Sequence, residues 1–513
     1  MADAWRPIRV TFVVRVPGIL KNFEAPLRLL AEQGHELVVA VERARERLPG
    51  QRAFIDALAA AYPNVTVETA GKREADGWGA LAQSLRLSLD HLHYQREQFD
   101  HAHDYRRRAA EDAPRLIRRI AALPGVRTRS GRRRLVRLLG ALESSMPISS
   151  RFDEFLREHR PDVLLVSPLI WFGAPQTEWI RAARRAGIPT AAAIYSWDNL
   201  TSKGAMREIP DSVLVWNPNQ RREAVELHAV PEHRVVPTGA QNWDHWFERS
   251  PSRERAEFCA RVGLDPDRPY VLYLESSPYV GGERAFLPEW LAAVRGSGAP
   301  ALRDVSVLVR PHPQVLDEDW VDVVGGLEGV EVWPRAGREP LEGEARNDFF
   351  DSIHHCAATV GINTSAFIEA AILDKPSLSL ILERFHRGQE GTVHFQYLRE
   401  ENGGPVRIAW TMDEHVEQLE HAVRVGCAGP AAKRFVEQFV RPYGCEVAAG
   451  PRFVAALEDL GTRSVRRPAP EPLWQRAARR VLLPVAKAME PKRARGGPLA
   501  TLRARALSGS GGA

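Results

Sequence analysis

Short runs of β-branched and aliphatic residues recur along this chain, and segments with helical periodicity separate most of them. The chain opens with a strand pattern at residues 9–14, a helical pattern at 23–33 and a second strand pattern at 36–41. Further strand patterns lie at residues 64–68, 162–167, 190–195, 212–216, 270–274, 305–309, 330–333, 359–362 and 377–382. Strands that alternate with helices form parallel, doubly wound sheets, so the pattern predicts an α/β fold.

The length of 513 residues exceeds what one hydrophobic core usually serves. The second set of strands begins after a Ser-Pro-Ser segment, which places a domain boundary between Thr238 and Ser252. We predict two tandem Rossmann-like domains, residues 1–240 and 241–461, followed by a basic, partly disordered tail at 462–513. Ligands of such folds bind beyond the carboxyl ends of the strands, so a cleft between the two sheets is expected.

The formal net charge of +5 hides a strong asymmetry. The tail holds twelve Lys and Arg against Glu471 and Glu490, so it carries +10 and leaves −5 to the rest of the chain. A body with net negative charge argues against a nucleic-acid partner. A predicted helical insertion at residues 75–150 is rich in arginine from 106 to 137, which fits either a basic surface for anionic lipid headgroups or a solvated insertion.

Within the tail, six apolar residues can share one face of a helix while the basic residues lie largely off it. These apolar residues are Leu473, Trp474, Ala477, Val481, Leu482 and Val485. The pattern is typical of a helix that lies on a membrane surface, and a flexible basic terminus is the alternative. Four scattered cysteines, no signal-peptide core and no apolar run of spanning length predict a cytoplasmic protein. The basic segments at residues 106–137 and 462–513 leave open a peripheral position on the inner face of the membrane.

A polar turn joins the strand pattern near residue 360 to an Ala-rich helix. The turn contains Asn363, Thr364 and Ser365, and Glu369 lies one helical turn further along the same face as Ser365. Backbone N–H groups at the start of a helix attract phosphate, and a carboxylate can accept two hydrogen bonds from a ribose diol. The segment therefore predicts a nucleotide site, with a well-capped core helix as the alternative.

Polar residues also end two other strands of the second half. Arg310 and His312 follow the strand at 305–309, and prolines on both sides restrict the backbone of His312. Arg310 can bind phosphate through two nitrogens, and His312 can donate a proton or hydrogen bond to a diphosphate leaving group. Ser276 and Ser277 end the strand at 270–274 and offer hydroxyl groups for phosphate, although an ordinary turn is equally compatible with them.

The first half contributes one comparable loop after the strand at 190–195. In this loop Asp198 can deprotonate an acceptor hydroxyl, Trp197 can stack on a sugar ring, and Lys203 can bind phosphate or an acidic sugar. Asn199 adds an amide to the same loop, and a polar loop capping a core strand is the alternative. Arg15, in the first loop of the chain, is expected to face the same cleft.

Several sequence signatures are absent from the chain. It has no Gly-x-Gly-x-x-Gly after the first strand, no Walker-type loop, no His-Glu-x-x-His and no nucleophile elbow, which disfavours dehydrogenase, nucleotide hydrolase and serine hydrolase chemistry. There is also no Asp-x-Asp metal signature. We expect no metal and no permanently bound cofactor, because Arg310, His312 and the helix dipole can replace a divalent cation.

Three segments together carry a resemblance to a known family. They are Val236-Pro-Thr-Gly-Ala-Gln-Asn-Trp-Asp244, Arg310-Pro-His-Pro313 and Gly361-Ile-Asn-Thr-Ser-Ala-Phe-Ile-Glu-Ala-Ala-Ile-Leu-Asp-Lys-Pro376. With two tandem Rossmann-like domains, they resemble the GT-B superfamily of glycosyltransferases, closest in pattern to bacterial surface-polysaccharide and CDP-glycerol glycerophosphotransferase-like proteins. The resemblance implies donor-binding roles for Arg310, His312, Thr364, Ser365 and Glu369, and it implies a donor linked to UDP, CMP, CDP or GDP.

The leading functional hypothesis is a metal-independent GT-B glycosyltransferase. It would move a sugar from a nucleotide-sugar donor to a cell-envelope polysaccharide or a lipid-linked acceptor. The alternatives are a CDP-glycerol-type polyol-phosphate transferase, a non-hydrolysing UDP-sugar epimerase and a non-catalytic scaffold for envelope assembly.

Overall fold

The computed structural model describes residues 6–43, 45–46, 48–71, 73–340, 343–463 and 471–490, and its strands form two parallel sheets. The first sheet contains β1 (Arg9–Val14), β2 (Glu36–Val41), β3 (Val65–Thr69), β4 (Val163–Ser167), β5 (Thr190–Ala193), β6 (Ser212–Val215) and β7 (Val235–Pro237). Their spatial order is β3-β2-β1-β4-β5-β6-β7. The chain order reverses beside β1, where β2 lies on one side and β4 on the other.

The second sheet repeats this plan with six strands. It contains β8 (Tyr270–Leu274), β9 (Ser306–Arg310), β10 (Val330–Val332), β11 (Ala358–Gly361), β12 (Ser377–Leu380) and β13 (Val406–Ala409). Their order is β10-β9-β8-β11-β12-β13, so the chain order reverses beside β8. The carboxyl ends of β8, β9 and β11 therefore meet at the edge of the sheet where ligands of such folds bind.

Helices cover both sheets. The first twelve are α1 (Glu24–Glu32), α2 (Ala53–Ala61), α3 (Gly77–Tyr94), α4 (His103–Asp112), α5 (Arg115–Ala121), α6 (Pro124–Arg127), α7 (Arg129–Ser144), α8 (Ser150–His159), α9 (Thr177–Ala186), α10 (Asn199–Ser202), α11 (Pro218–His228) and α12 (Asp244–Phe247). The others are α13 (Arg255–Val262), α14 (Glu283–Gly296), α15 (Asp319–Val324), α16 (Gly343–His354), α17 (Ala366–Ile372), α18 (Met412–Val425), α19 (Pro430–Phe435), α20 (Ala449–Gly461) and α21 (Leu473–Ala488).

This topology confirms the predicted fold class, an α/β chain with two tandem Rossmann-like parallel sheets. Three predicted strands, β1, β2 and β8, have the predicted bounds, and the bounds of the other predicted strands differ by one or two residues. The sequence patterns missed β7 and β13, which are three and four residues long and lie at sheet edges. Strands this short do not show an alternating pattern.

The chain returns to the first domain near its carboxyl end. Helix α20 packs on α1, and its residues Phe453, Val454, Leu457 and Leu460 are buried in the same apolar cluster as β1 and β2. The predicted bounds of the second domain, residues 241–461, include α20, whereas α20 packs in the core of the first domain. The apolar face of a helix predicts that the helix is buried, but it does not predict which sheet the helix packs on.

The predicted insertion at residues 75–150 contains helices α3 to α7, and α8 begins at its last residue and leads to β4. Its base contains a buried ion-pair network, in which Arg86 binds Glu143 at 2.7 Å and Glu178 at 3.1 Å. Some arginines of the insertion thus have a structural role.

Part of the predicted tail, residues 464–470 and 491–513, lies outside the described residues. The described helix α21 packs on α3 through the buried Ala486. Among the described helices, none has the length and apolar character needed to cross a membrane.

Candidate active site

Two adjoining cavities, of about 540 and 690 Å³, lie between the two domains. The smaller one is lined by loops that follow β8, β9 and β11, and we call it the donor cavity after the role that the sequence predicts for these loops. The larger one reaches toward the loops that follow β1 and β5, and we call it the acceptor cavity after the role that the sequence predicts for the loop after β5. Residues common to both linings, including Trp197, Lys203, Ser365 and Glu369, make them one continuous cleft.

Arg310 is the last residue of β9 and lines the donor cavity. Its side chain is 7% exposed and lies over the Phe349 ring at 4.5 Å. Burial lowers the pKa of Arg310 to about 10, and the charge of Asp348 offsets this only in part. The Nη1 atom has no hydrogen-bond partner among the described residues. The site thus presents a buried cation that the described residues leave incompletely hydrogen-bonded.

His312 also lines the donor cavity, and its hydrogen bonds define its tautomer. The backbone N–H of His312 donates to Glu275 Oε2 at 2.8 Å, and Nδ1 accepts from the backbone N–H of Gln314 at 3.2 Å. Burial, followed by the charge of Lys21, lowers the pKa of His312 to about 4. The ring is therefore neutral near pH 7 with its proton on Nε2, so it can donate one hydrogen bond into the cleft.

Hydrogen bonds on the side away from the cavity fix the polar turn after β11. The backbone N–H of Asn363 donates to Ser276 Oγ at 2.9 Å, and the Asn363 amide donates to the carbonyl of Gly388. Ser276 is buried, and its own backbone N–H donates to Glu283 Oε1 at 3.0 Å. The structure therefore places Ser276 behind the wall of the donor cavity, where it positions the turn, whereas Ser277 lines the cavity itself.

Thr364 and Ser365 line the donor cavity at the start of α17. Ser365 is the N-cap but its side chain accepts no capping hydrogen bond, and Thr364 Oγ1 accepts from the backbone N–H of Ala366 at 3.3 Å. The hydroxyl of Thr364 therefore caps the amino end of α17, and the hydroxyl of Ser365 makes no capping hydrogen bond.

Glu369 lies on α17 and lines both cavities. Burial raises the pKa of Glu369 to about 7, and a hydrogen bond from the Trp243 indole N–H offsets part of this increase. Its Oε2 atom is buried and has no partner among the described residues. A carboxyl group with an unused buried oxygen can accept hydrogen bonds from a ligand.

Asp198 lies on the opposite wall and is fully engaged with its own loop. It accepts hydrogen bonds from Ser196 Oγ at 2.5 Å and from Ser202 Oγ at 2.7 Å, and Lys203 Nζ lies 2.9 Å from its Oδ2. Burial alone would raise the pKa of Asp198, but Lys203, His394 and the hydroxyl of Ser196 hold it well below its usual range. Asp198 is therefore ionised, and Lys203 is paired with it instead of being free for an anionic substrate.

The other predicted residues of the first domain are divided between the cleft and the core. Trp197 lines the cleft and packs edge-to-face on His394, with ring centres 4.6 Å apart. Arg15 lines the acceptor cavity and lies over the Trp171 ring at 4.6 Å. Asn199 is fully buried, donates to the carbonyl of Ile170 at 3.3 Å and lines neither cavity. The structure does not bring Asn199 into the cleft because α10 turns its amide into the core.

Several residues that line the cleft were not predicted, and three of them make contacts between the two domains. Lys21 lies in the 3-10 helix Pro17–Phe23 after β1, lines both cavities and bridges the domains through Glu339 at 2.7 Å. Tyr105, from the insertion, bonds His394 Nδ1 through its hydroxyl at 3.0 Å, and both line the donor cavity. The position of Lys21 in a loop expected to face the cleft was a usable signal. Tyr105 and His394 come from segments without such a signal.

Within the described part of the chain, no group of three or more His, Cys, Asp or Glu side chains is placed to hold a metal ion. No protein-family model matches the chain, and no curated protein matches it.

The chain is similar to several solved structures. A glycosyltransferase from Rickettsia africae ESF-5 has a TM-score of 0.49 at 8% identity, covering 90% of this chain and all of its own. S. aureus MnaA with UDP has a TM-score of 0.48 at 11% identity, covering 91% and 100%. UDP-GlcNAc 2-epimerase from Neisseria meningitidis, bound to UDP-GlcNAc, has a TM-score of 0.47 at 12% identity, covering 88% and 100%. With identities this low, the residues of the cleft, and not these similarities, indicate the chemistry.

Proposed function

We propose that this chain is a glycosyltransferase whose cleft binds a nucleotide-linked sugar and transfers the sugar to a cell-envelope glycan or a lipid-linked acceptor. The observation that carries the proposal is the pair Arg310 Nη1 and Glu369 Oε2. Both atoms are buried in the wall of one cleft, and neither has a hydrogen-bond partner among the described residues.

Buried polar atoms without hydrogen-bond partners lower the stability of a folded protein. Each buried polar atom without a partner costs roughly 1–3 kcal/mol, and more when it belongs to a charged group. Arg310 and Glu369 are not paired with each other, so a ligand that satisfies both must offer anionic oxygens and hydroxyl donors together. A nucleoside diphosphate has both, in its diphosphate and its ribose diol.

The remaining cleft residues support a transfer step. The bond between the sugar carbon and the diphosphate oxygen breaks, and a bond forms between that carbon and the acceptor oxygen. Arg310 and the Nε2–H of His312 stabilise the charge that develops on the departing diphosphate. The proton of the acceptor hydroxyl passes to the carboxylate of Asp198. In this step the carboxylate contacts the acceptor hydroxyl in place of Lys203.

A turnover assay tests this proposal. The full chain is incubated with UDP-, CDP- and GDP-linked sugars, CMP-linked sugars and CDP-glycerol, with and without a membrane extract as acceptor source. We expect one sugar donor to be consumed only with acceptor, and we expect Asp198→Asn and His312→Ala each to lower kcat at least 100-fold. The control variant His421→Ala changes an exposed histidine of α18 and leaves kcat unchanged.

The same assay separates the alternatives. Interconversion of a UDP-sugar without acceptor indicates an epimerase, and consumption of CDP-glycerol indicates a polyol-phosphate transferase. Full activity in both Asp198→Asn and His312→Ala contradicts the assigned roles. No turnover with any donor favours a scaffold.

The tail helix supports a peripheral position on an anionic membrane. On the side of α21 that faces away from α3, Trp474 is 48% and Val481 is 76% exposed. Arg476, Arg480 and Lys487 flank this apolar side. A helix with one exposed apolar side flanked by cations fits the interface of an anionic bilayer. Because a lipid-linked acceptor resides there, we propose cytoplasmic location on the inner membrane face.

A further inference from the structure

A third cavity, of about 640 Å³, lies outside the cleft, between α3, α7 and the end of α11. We call it the arginine cavity, because six arginines line it. They are Arg96, Arg129, Arg132, Arg133, Arg137 and Arg207. Apolar side chains, including Leu92, Val136 and Met206, form other parts of the wall. The cavity thus combines dense positive charge with an apolar surface.

The acidic residues of the wall offset the charge of these arginines only in part. Glu143 and Glu208 line the cavity but are paired with Arg86 and Arg184, at 2.7 and 2.8 Å. Glu97 and Glu226 complete the acidic lining. Four arginines, Arg129, Arg132, Arg133 and Arg137, have no salt bridge with any described residue.

The position of these arginines on α7 destabilises the helix when no anion is bound. Arg129 and Arg132 lie in the first turn of this 16-residue helix, and that turn contains no acidic residue. The amino end of a helix carries partial positive charge, so cations there are destabilising. Burial and then the guanidinium groups of Arg132 and Arg129 lower the pKa of Arg96, which shows that the cations crowd one another. An anion bound among them would remove this repulsion.

Two buried side chains on the opposite wall also have unused polar atoms. Arg207 is 3% exposed and uses Nη2 to bind Asp90, while its Nε and Nη1 have no partner among the described residues. His93 is buried beside it and its Nε2 is likewise without a partner there. Both residues line the cavity, so an oxyanion in it can accept hydrogen bonds that the fold leaves unused.

We propose that the arginine cavity is a second anion site, which binds a phosphate or diphosphate group that bears an apolar chain. The anionic group contacts Arg132, Arg133 and Arg207, and the chain lies on Leu92, Val136 and Met206. This ligand class is independent of the donor proposed for the cleft, since the two sets of lining residues do not overlap.

Isothermal titration tests the proposal with inorganic pyrophosphate and with dioctanoyl phosphatidic acid as probes. All titrations use the full chain carrying Arg310→Met, which removes the buried cation proposed to bind diphosphate in the cleft. We expect Arg132→Gln with Arg133→Gln to weaken the binding of both probes at least tenfold. The matched control, Arg118→Gln with Arg119→Gln on α5, removes the same charge outside the cavity and changes Kd less than twofold.

A second variant tests the apolar wall without removing charge. Gly140 lines the cavity inside α7, and a Cβ atom there meets nothing within 4 Å, so Gly140→Leu fills the cavity and favours the helix. We expect it to weaken phosphatidic acid binding at least tenfold, and we expect phosphatidic acid to bind at least tenfold tighter than pyrophosphate.

Three results overturn the proposal. Equal loss in the α5 control would show general charge attraction, and unchanged binding in the Arg132 and Arg133 variant would show that the cavity is not the site. Phosphatidic acid that binds no tighter than pyrophosphate would refute the apolar part and leave a free phosphate as the ligand.

Discussion

Glu369 and Arg310 each place a polar atom in the cleft that the described fold leaves without a hydrogen bond. Each also has a pKa displaced by burial, upward to about 7 for Glu369 and downward to about 10 for Arg310. Both shifts mean that the charged form is disfavoured in the folded protein. Residues that destabilise a fold in this way are typical of ligand sites, because the ligand supplies the missing contacts.

The charge of Glu369 gives a prediction for stability. The raised pKa stabilises the protein below about pH 4.5, and this contribution is lost as pH rises through about 7. At pH 8 the buried carboxylate therefore costs about 3 kcal/mol. We expect Glu369→Gln to raise the melting temperature at pH 8 but not at pH 5, as thermal unfolding measures it. Glu417→Gln, on the exposed side of α18, is the control, and equal shifts at both pH values would contradict the assignment.

The same carboxyl group predicts the pH dependence of donor binding. The ionised form is the stronger acceptor and presents both oxygens to a ribose diol, so affinity is full above about pH 7 and falls as pH drops below that value. We expect Kd to rise about tenfold per pH unit between 6 and 5. His312, with a pKa of about 4, is neutral over this range. Glu369→Gln removes this dependence, and a wild-type Kd that is flat from pH 5 to 8 would refute it.

At the scale of elements, the sequence best predicts the placement of residues that follow parallel strands. Arg310, His312 and the turn at Asn363 could be assigned to one site because the carboxyl ends of neighbouring parallel strands meet. The Asp198–Lys203 ion pair was not predictable, because a loop's internal pairing has no periodicity. Tyr105 and His394 were missed for the same reason, since their contact joins residues 289 positions apart. Asn199 was misplaced because a four-residue helix turns it inward.

Helix α21 gives a prediction at this scale. Trp474→Gln with Val481→Gln removes two exposed apolar side chains, which should release the helix from a bilayer, since each buries apolar surface there. We expect at least fivefold less protein to sediment with vesicles containing phosphatidylglycerol. The control, Trp410→Gln with Val425→Gln, changes residues of 50% and 48% exposure on the second domain. Equal losses in the two variants would show that α21 is not the contact.

At the scale of the whole molecule, the two domains are joined by more than the connecting chain. Besides Lys21 and Glu339, the Arg346–Glu24 ion pair crosses the cleft at 2.7 Å. Helix α20 closes the opposite side by packing on the first domain. The segment between Lys203 and Arg207 connects the cleft with the arginine cavity, because its ends line one each. The relative position of the domains therefore depends on contacts at several separate points.

The packing of α20 predicts that one core residue stabilises the whole protein. Leu457 is fully buried against the first sheet, so Leu457→Ala leaves a cavity and should cost about 2–5 kcal/mol. We expect a lower melting temperature and one shared unfolding transition, measured by circular dichroism and tryptophan fluorescence. Val447→Ala, at a 40% exposed residue, should change little. Loss of the second domain alone, with the first unchanged, would contradict the packing.

The most direct test of a nucleotide cradle in the cleft is isothermal titration of the full chain with UDP, CMP, CDP and GDP. We expect one of them to bind with a Kd in the micromolar range, and we expect Glu369→Ala to weaken this binding at least tenfold. Glu417→Ala should leave it unchanged. Binding of none of the four, or equal affinity in wild type and Glu369→Ala, would contradict the assignment of the donor site.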